Sequence, residues 1–287
     1  MLFNKRFVAI LISLFITACG SSDLKEPQTP LSVNVEPVVN ENVYQPNVLV
    51  TWQWQLLVEE GSTLNTSYNV EIYDIDLFDT DQTTINALRA NGKKVICYFS
   101  AGSYEDWRID ESQFPEEALG NNLDGWPGEK WLDIRLTEVQ DIMAARIEYA
   151  QEKNCDGVEP DNMDGYQNNS GFNLTADDQL AYNRFIANTA HEHGLSVGLK
   201  NDLDQIEALV DYFDFAVNEQ CFEYDECDTL TTFIDAGKPV LNAEYLQVYQ
   251  LNTDGARDDL CTQANDLQFS TMVLPLDLND EFRYSCL

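Results

Sequence analysis

The chain has 287 residues, 44% of them hydrophobic and 11% aromatic, enough for one large core. Its 16 Lys and Arg stand against 50 Asp and Glu, a net charge of −34. A surface so anionic repels nucleic acid and anionic lipid and attracts a cationic partner. Acidity that serves only solubility, as in a salty habitat, is an equal alternative cause.

At the start, Lys5 and Arg6 precede an apolar run, residues 7–15, too short to span a bilayer as a mature helix. Ile16-Thr17-Ala18-Cys19 resembles the lipobox of bacterial lipoproteins. That resemblance implies loss of signal peptide 1–18 and a lipid on Cys19. The protein is then expected to be exported and held at the cell envelope by that anchor alone. Gly20, where an inner-membrane retention Asp would stand, favours the outer membrane. A plain cleaved signal peptide is the alternative. Residues 19–46, rich in Ser, Pro, Asn, Glu and Val without a sustained period, read as a flexible tether, leaving 47–287 as one domain.

Within that domain, strands are predicted over 48–56, 69–77 and 94–102, with a helix over 83–91 stopped by Gly92. A long loop over 103–132 follows, carrying Tyr104, Trp107, Trp126 and Trp131 among Gly and Pro. Loops of that length inside a compact domain are usually functional. Helices over 139–151, 177–193, 204–212, 229–236 and 258–265 then alternate with strands at 155–161, 196–201, 213–219, 239–245 and 269–274. Pro160 is expected to stop the fourth strand from continuing a ladder. Eight strands, most followed by a helix, predict an α/β protein, a (β/α)8 TIM barrel. An open doubly wound sheet is the runner-up, but the chain lacks its glycine-rich phosphate loop.

Apart from Cys19 the chain has six cysteines, Cys97, Cys155, Cys221, Cys227, Cys261 and Cys286, an even set that suits disulfides in an exported protein. Six allow 15 pairings. Proximity in sequence suggests Cys221–Cys227, a tied C-terminus suggests Cys261–Cys286, and Cys97–Cys155 would link two strands. A zinc site is the weaker reading, since no Cys-x-x-Cys occurs and His191 and His193 are far from any cysteine in sequence.

Strand after strand ends in a polar group: Asp76, Ser100, Asp161, Lys200 with Asn201, Glu219 and Glu244. In a barrel these ends converge on the face where active sites are built. Glu159, Asp161 and Asp164 cluster around Pro160, and crowded carboxylates raise one another's pKa, which keeps one of them a proton donor. A calcium loop at 159–165 is a poorer reading, because Met163 interrupts the alternating oxygen ligands. No metal or cofactor is expected. Carboxylates with aromatics such as Tyr98, Trp107 and Trp126 suit glycoside hydrolysis, which needs one acid, one nucleophile or base, and faces on which sugar rings stack.

The segments Trp52-Gln53-Trp54-Gln55-Leu56, Tyr73-Asp74-Ile75-Asp76-Leu77-Phe78-Asp79, Cys155-Asp156-Gly157-Val158-Glu159-Pro160-Asp161-Asn162, Gly198-Leu199-Lys200-Asn201 and Asn218-Glu219-Gln220-Cys221 together resemble glycoside hydrolase family 114. The resemblance runs from about residue 47 to the C-terminus. It implies a (β/α)8 barrel and endo-α-1,4-polygalactosaminidase activity on galactosamine-containing polysaccharide of biofilm matrices. By motif, Asp161 takes the place of nucleophile and Glu219 that of acid/base, the two roles being exchangeable. Asp76, Tyr98, Ser100, Trp107, Trp126, Glu159, Asp164, Lys200, Asn201, Asn218 and Glu244 become substrate or supporting groups. The expected partner is a cationic, partly deacetylated galactosaminan, acted on by a monomer. A non-catalytic, polysaccharide-binding surface lipoprotein on the same barrel is the alternative of a different class.

Overall fold

The computed structural model describes residues 30–59 and 61–287. Cys19 and the signal segment lie outside the described residues. The strands are β1 (Trp52–Gln55), β2 (Ile72–Asp76), β3 (Lys94–Ser100), β4 (Ser103–Glu105), β5 (Leu119–Asn122), β6 (Glu129–Leu132), β7 (Gly157–Asp161), β8 (Ser196–Lys200), β9 (Phe215–Glu219), β10 (Val240–Glu244), β11 (Ser270–Val273) and β12 (Tyr284–Ser285). The helices are α1 (Gln82–Ala90), α2 (Thr137–Glu152), α3 (Ala176–Glu192), α4 (Ile206–Leu209), α5 (Cys221–Tyr224), α6 (Thr231–Asp235), α7 (Gln247–Gln250) and α8 (Ala256–Asp266). The main sheet runs β1-β2-β3-β7-β8-β9-β10-β11-β12, with every pair parallel except β11–β12. Its eight parallel strands curl into the (β/α)8 barrel that the sequence predicts.

The seam between β11 and β1 is closed by other groups. The Trp52 indole donates to the Ser270 carbonyl at 2.7 Å, Leu56 N–H donates to Leu278 O at 3.1 Å, and Arg283, just before β12, donates to the Trp52 carbonyl at 2.8 Å. Side chains cap the starts of α1 and α3. Asp81 accepts from Thr84 N–H at 2.7 Å before α1, and Thr175 with Asp178 forms a capping box before α3. Gly92 and Gly194 stop α1 and α3 with φ near +76° and +75°.

Strand alternation sorts the side chains into two apolar clusters. Tyr73, Ile75, Val95, Cys97, Phe99, Val158 and Val197 face the helices. Trp52, Trp54, Ile72, Ile96, Phe215, Val217, Leu241 and Ala243 fill the barrel. Toward the strand ends the inward series turns polar: Asp74 follows Ile72, Tyr98 follows Ile96, and Glu219 follows Val217.

Three expectations change. Residues 103–132 form a three-stranded antiparallel sheet, β4-β6-β5, in place of a long loop. It is anchored by two buried guanidinium groups. Arg108 pairs with Asp76 and Glu105, each at 2.7 Å, and Arg146 pairs with Asp110 at 2.8 Å and donates to the Ser100 carbonyl at 2.7 Å. Pro160 does not end β7, which stays paired with β3 through Asp161; only the β8 ladder ends, at Val158. Residues 30–46, expected to be a tether, lie along α3. Arg184, Asn188 and His191, spaced along one helix face, bond Val33 O, Val38 N–H and Val38 O, and Val43 is buried.

The bridges Cys97–Cys155, Cys221–Cys227 and Cys261–Cys286 form, with Cα separations of 6.1, 4.8 and 4.9 Å. The first closes a 58-residue separation and, in the chain-entropy model, stabilises most, on the order of 4 kcal/mol. Among the described residues no helix is long and apolar enough to cross a membrane.

Candidate active site

A cavity of about 430 Å³ opens where the parallel strands end, roofed by the small sheet. Asp161, Glu219, Trp54, Tyr98, Trp126 and Trp131 line it. The size is normal for a small-ligand cleft. Gly102 lets the backbone after β7 come close, since a Cβ there would lie 1.8 Å from Asn162 O.

Lys200 is the centre of the arrangement. Its ammonium nitrogen is 2.9 Å from Asp161 Oδ1, 3.1 Å from Glu219 Oε2 and 3.7 Å from Glu159 Oε1, and it lies 5.2 Å from the Trp54 ring centroid. Burial alone would lower the Lys200 pKa, but Asp161, Glu219 and Glu159 outweigh it and hold the ammonium well above its ordinary value. The other oxygens are met by phenols. Tyr98 donates to Asp161 Oδ2 at 3.0 Å and Tyr245 to Glu219 Oε1 at 2.5 Å. Burial, and then the carboxylates beside them, push both phenols well above their usual range, so both remain donors. Asn162 N–H donates to Asp161 Oδ1 at 2.7 Å, and Glu219 N–H donates to Asn201 Oδ1 at 3.1 Å. Asp161 and Glu219 keep 18% and 25% of their side-chain surface open to the cavity.

Beneath them lie Asp74 and Glu159, both fully buried. Glu159 is the next inward residue down β7 from Asp161. Burial raises Asp74 to about 8 and Glu159 well above the carboxylate range; Lys200 offsets part of both shifts, and the two acids interact directly. The pair therefore retains a shared proton at neutral pH. A further chain reaches the cavity wall: Asn162 donates to Ser100 at 3.0 Å, Ser100 and Ser103 share a bond of 2.6 Å, and Ser103 donates to Glu129 at 2.7 Å. Burial, then Glu105 and Asp161, push Glu129 up to about 7.

Asp161, Glu219, Tyr98, Trp126, Asp164, Lys200 and Asn201 thus meet at the cavity. Others do not reach it. Asp76 is taken by Arg108, Ser100 is sealed beneath Asn162, and Glu159 forms the floor. Trp107 is half-exposed and does not line the cavity. Glu244 and Asn218 sit one residue out of phase with the inward series, so they point between barrel and helices. Glu244 accepts from Phe222 N–H at 3.0 Å, and burial pushes it up to about 7. The inward neighbours of that series, Tyr245 after Ala243 and Trp54 after Trp52, are the site residues the sequence reading missed. Counting strand parity would have found both. Among the described residues no group of three or more His, Cys, Asp or Glu is gathered as a metal site.

The model of glycoside-hydrolase family GH114 matches residues 34–287. The chain is 42% identical to Ega3 of Aspergillus fumigatus, solved in complex with galactosamine, over 88% of this chain and all of that one, with a TM-score of 0.81. The glycoside hydrolase domain of PelA from Pseudomonas aeruginosa shares the fold at 14% identity and a TM-score of 0.62, over 82% of this chain and 98% of that one. No curated protein sequence matches the chain.

Proposed function

Since the chain belongs to glycoside hydrolase family GH114 and is a glycoside hydrolase, we propose that it cleaves α-1,4-linked, galactosamine-containing polysaccharide internally, with Asp161 as nucleophile and Glu219 as acid/base. The observation that carries this reading is the shared contact with Lys200. Because Asp161 Oδ1 and Glu219 Oε2 touch one nitrogen, those two oxygens lie no more than about 6 Å apart. So close an approach supports a retaining pair, whose carboxyl groups stand ~5–5.5 Å apart, over an inverting one at ~6.5–9.5 Å.

In the first step Asp161 attacks the anomeric carbon while the Glu219 proton passes to the departing glycosidic oxygen. In the second, Glu219 takes a proton from water, which attacks the same carbon and releases Asp161. The glycosyl ester leaves Asp161 uncharged, so Lys200 then faces Glu219 as its remaining upper carboxylate, when Glu219 must act as base. Asp124, Glu129 and Asp164, also on the cavity wall, favour a cationic sugar, as does the net charge of −34. The galactosamine bound to Ega3 supports the same class.

The test is digestion of partly deacetylated α-1,4-galactosaminan, with released oligomers measured by mass spectrometry and the first-formed anomer by NMR. A ladder of oligomers with retained configuration is expected. Monomer alone would make the enzyme exo-acting, and no release would end the reading. Attachment through a lipid on Cys19 belongs to the same proposal: Cys19→Ser should leave the membrane fraction, and unchanged fractionation would refute the anchor.

A further inference from the structure

The buried acids around the small sheet do not share one fate. Glu105 pairs with Arg108 at 2.7 Å and Asp110 with Arg146 at 2.8 Å. Glu129, on β6 and also buried, forms no ion pair among the described residues. Its one hydrogen bond among them comes from Ser103, at 2.7 Å. Burying a carboxylate without a cation costs stability, which points to a task for its oxygens.

The hydrogens between Glu129 and Asp161 can be assigned one by one. Glu129 Oε2 accepts, so Ser103 gives it the hydroxyl hydrogen; a proton on Oε1 would leave that contact intact. Ser100 Oγ accepts from Ser103 N–H at 3.1 Å and from the Asn162 amide at 3.0 Å, which fills both lone pairs. Its own hydrogen therefore goes to Ser103 across the 2.6 Å contact. The Asn162 amide thus faces the serines with its nitrogen, and that nitrogen also lies 3.4 Å from Asp161 Oδ2. Asn162 stands just past the end of β7 in left-handed backbone, φ 59°, so no strand ladder holds its side chain in place. Side-chain donors run outward from its amide in both directions, and each run ends on a carboxylate. Without an acceptor at 129, Ser103 is free to turn its hydrogen to Ser100, and Ser100 its own to the amide. An amide that answers with its oxygen sets that oxygen against Asp161, where the two repel.

We propose that Glu129 is a positioning residue for the nucleophile: through Ser103, Ser100 and Asn162 it holds the amide nitrogen against Asp161 and fixes the direction of attack. This role rests on the proposed function, in which Asp161 attacks the anomeric carbon. It adds a residue of the roofing sheet that acts on the attack without touching the reacting atoms.

The experiment measures kcat, KM and melting temperature for wild type, Ser103→Ala, Glu129→Met and Glu129→Gln on partly deacetylated α-1,4-galactosaminan. Ser103→Ala cuts the chain and leaves both carboxylates in place. Its kcat should fall about 10- to 100-fold, the scale of a misplaced reacting group, with KM within about twofold. Glu129→Met should lose kcat to the same extent. Glu129→Gln keeps an acceptor oxygen for Ser103 and should recover most of that kcat, while its KM rises by about threefold as the cleft wall loses a charge. If Glu129→Met does not fold, the kcat of Ser103→Ala carries the test. An unchanged kcat in Ser103→Ala overturns the positioning role and leaves Glu129 as wall charge alone. So does a Glu129→Gln that loses as much kcat as Glu129→Met. Wild type that cleaves nothing, or an Asp161→Asn variant that turns over normally, overturns the parent reading, and the positioning role with it.

Discussion

Two pairs of carboxylates occupy successive inward levels of one barrel. The upper pair, Asp161 and Glu219, is partly open and met by Lys200, a tyrosine each, and asparagine or backbone groups. The lower pair, Asp74 and Glu159, is sealed, each acid facing the other, with Lys200 at 3.7 Å from Glu159. The same functional group therefore acquires opposite tasks from its surroundings. Above, donors keep two acids poised and reachable; below, desolvation makes one proton cheaper than two charges. Lys200 touches both levels, so the charge state of the floor sets how strongly that cation is held away from the reacting pair.

The largest effect should come from the upper pair. Asp161→Asn and Glu219→Gln should each lower kcat on the order of 10²–10⁴-fold with the melting temperature little changed, and the double variant should lose less than the product of the two. Normal turnover by either one would break the comparison at its first level. Next is Lys200→Met, which leaves four acids without their shared cation. A stability loss of about 3–5 kcal/mol is expected in urea unfolding at pH 8. It should shrink at pH 5, where the acids can take up protons; a loss independent of pH would refute the cation's role.

The lower pair sharpens the contrast through sign. Asp74 is raised above its unfolded value, so its contribution to stability is full at low pH and is lost as pH rises through about 8. Asp74→Asn should therefore gain on wild type between pH 5 and pH 9, by about 1–3 kcal/mol, while kcat falls by no more than about tenfold. A variant that instead loses ground as pH rises would mean the pair is ionised in the fold. The smallest effect is expected at Glu244, outside the inward series. Glu244→Gln should gain about 1–2 kcal/mol from pH 5 to pH 8, as wild type passes through about 7, with kcat within about threefold. An inactive Glu244→Gln beside an active Glu219→Gln would move the acid/base to β10.

Much of this fold is readable along the chain because its signals are local. Period-two runs and the glycines after α1 and α3 mark elements to within a few residues. The acids at the ends of β7 and β9 mark the face that carries the chemistry. The small sheet β4-β6-β5 was illegible because its strands are short and its hold on the barrel comes from Arg108 and Arg146, whose partners lie up to 46 residues away. Residues 30–46 look like a tether because they have no period of their own, and they borrow their order from α3, about 150 residues further on.

Sequence by itself determined the strand–helix alternation, the carboxylates at the strand ends and the even set of cysteines whose three bridges form. Only the tertiary structure decided which acids serve together. Parity turns Glu219 and Tyr245 inward and Glu244 outward, though Glu244 and Tyr245 adjoin in sequence. Strand order, with β8 between β7 and β9, then sets Lys200 between the acids that end those strands. A cation within ion-pair distance of three acids depends on strand register and curvature, which are properties of the assembled barrel and of no local stretch of chain.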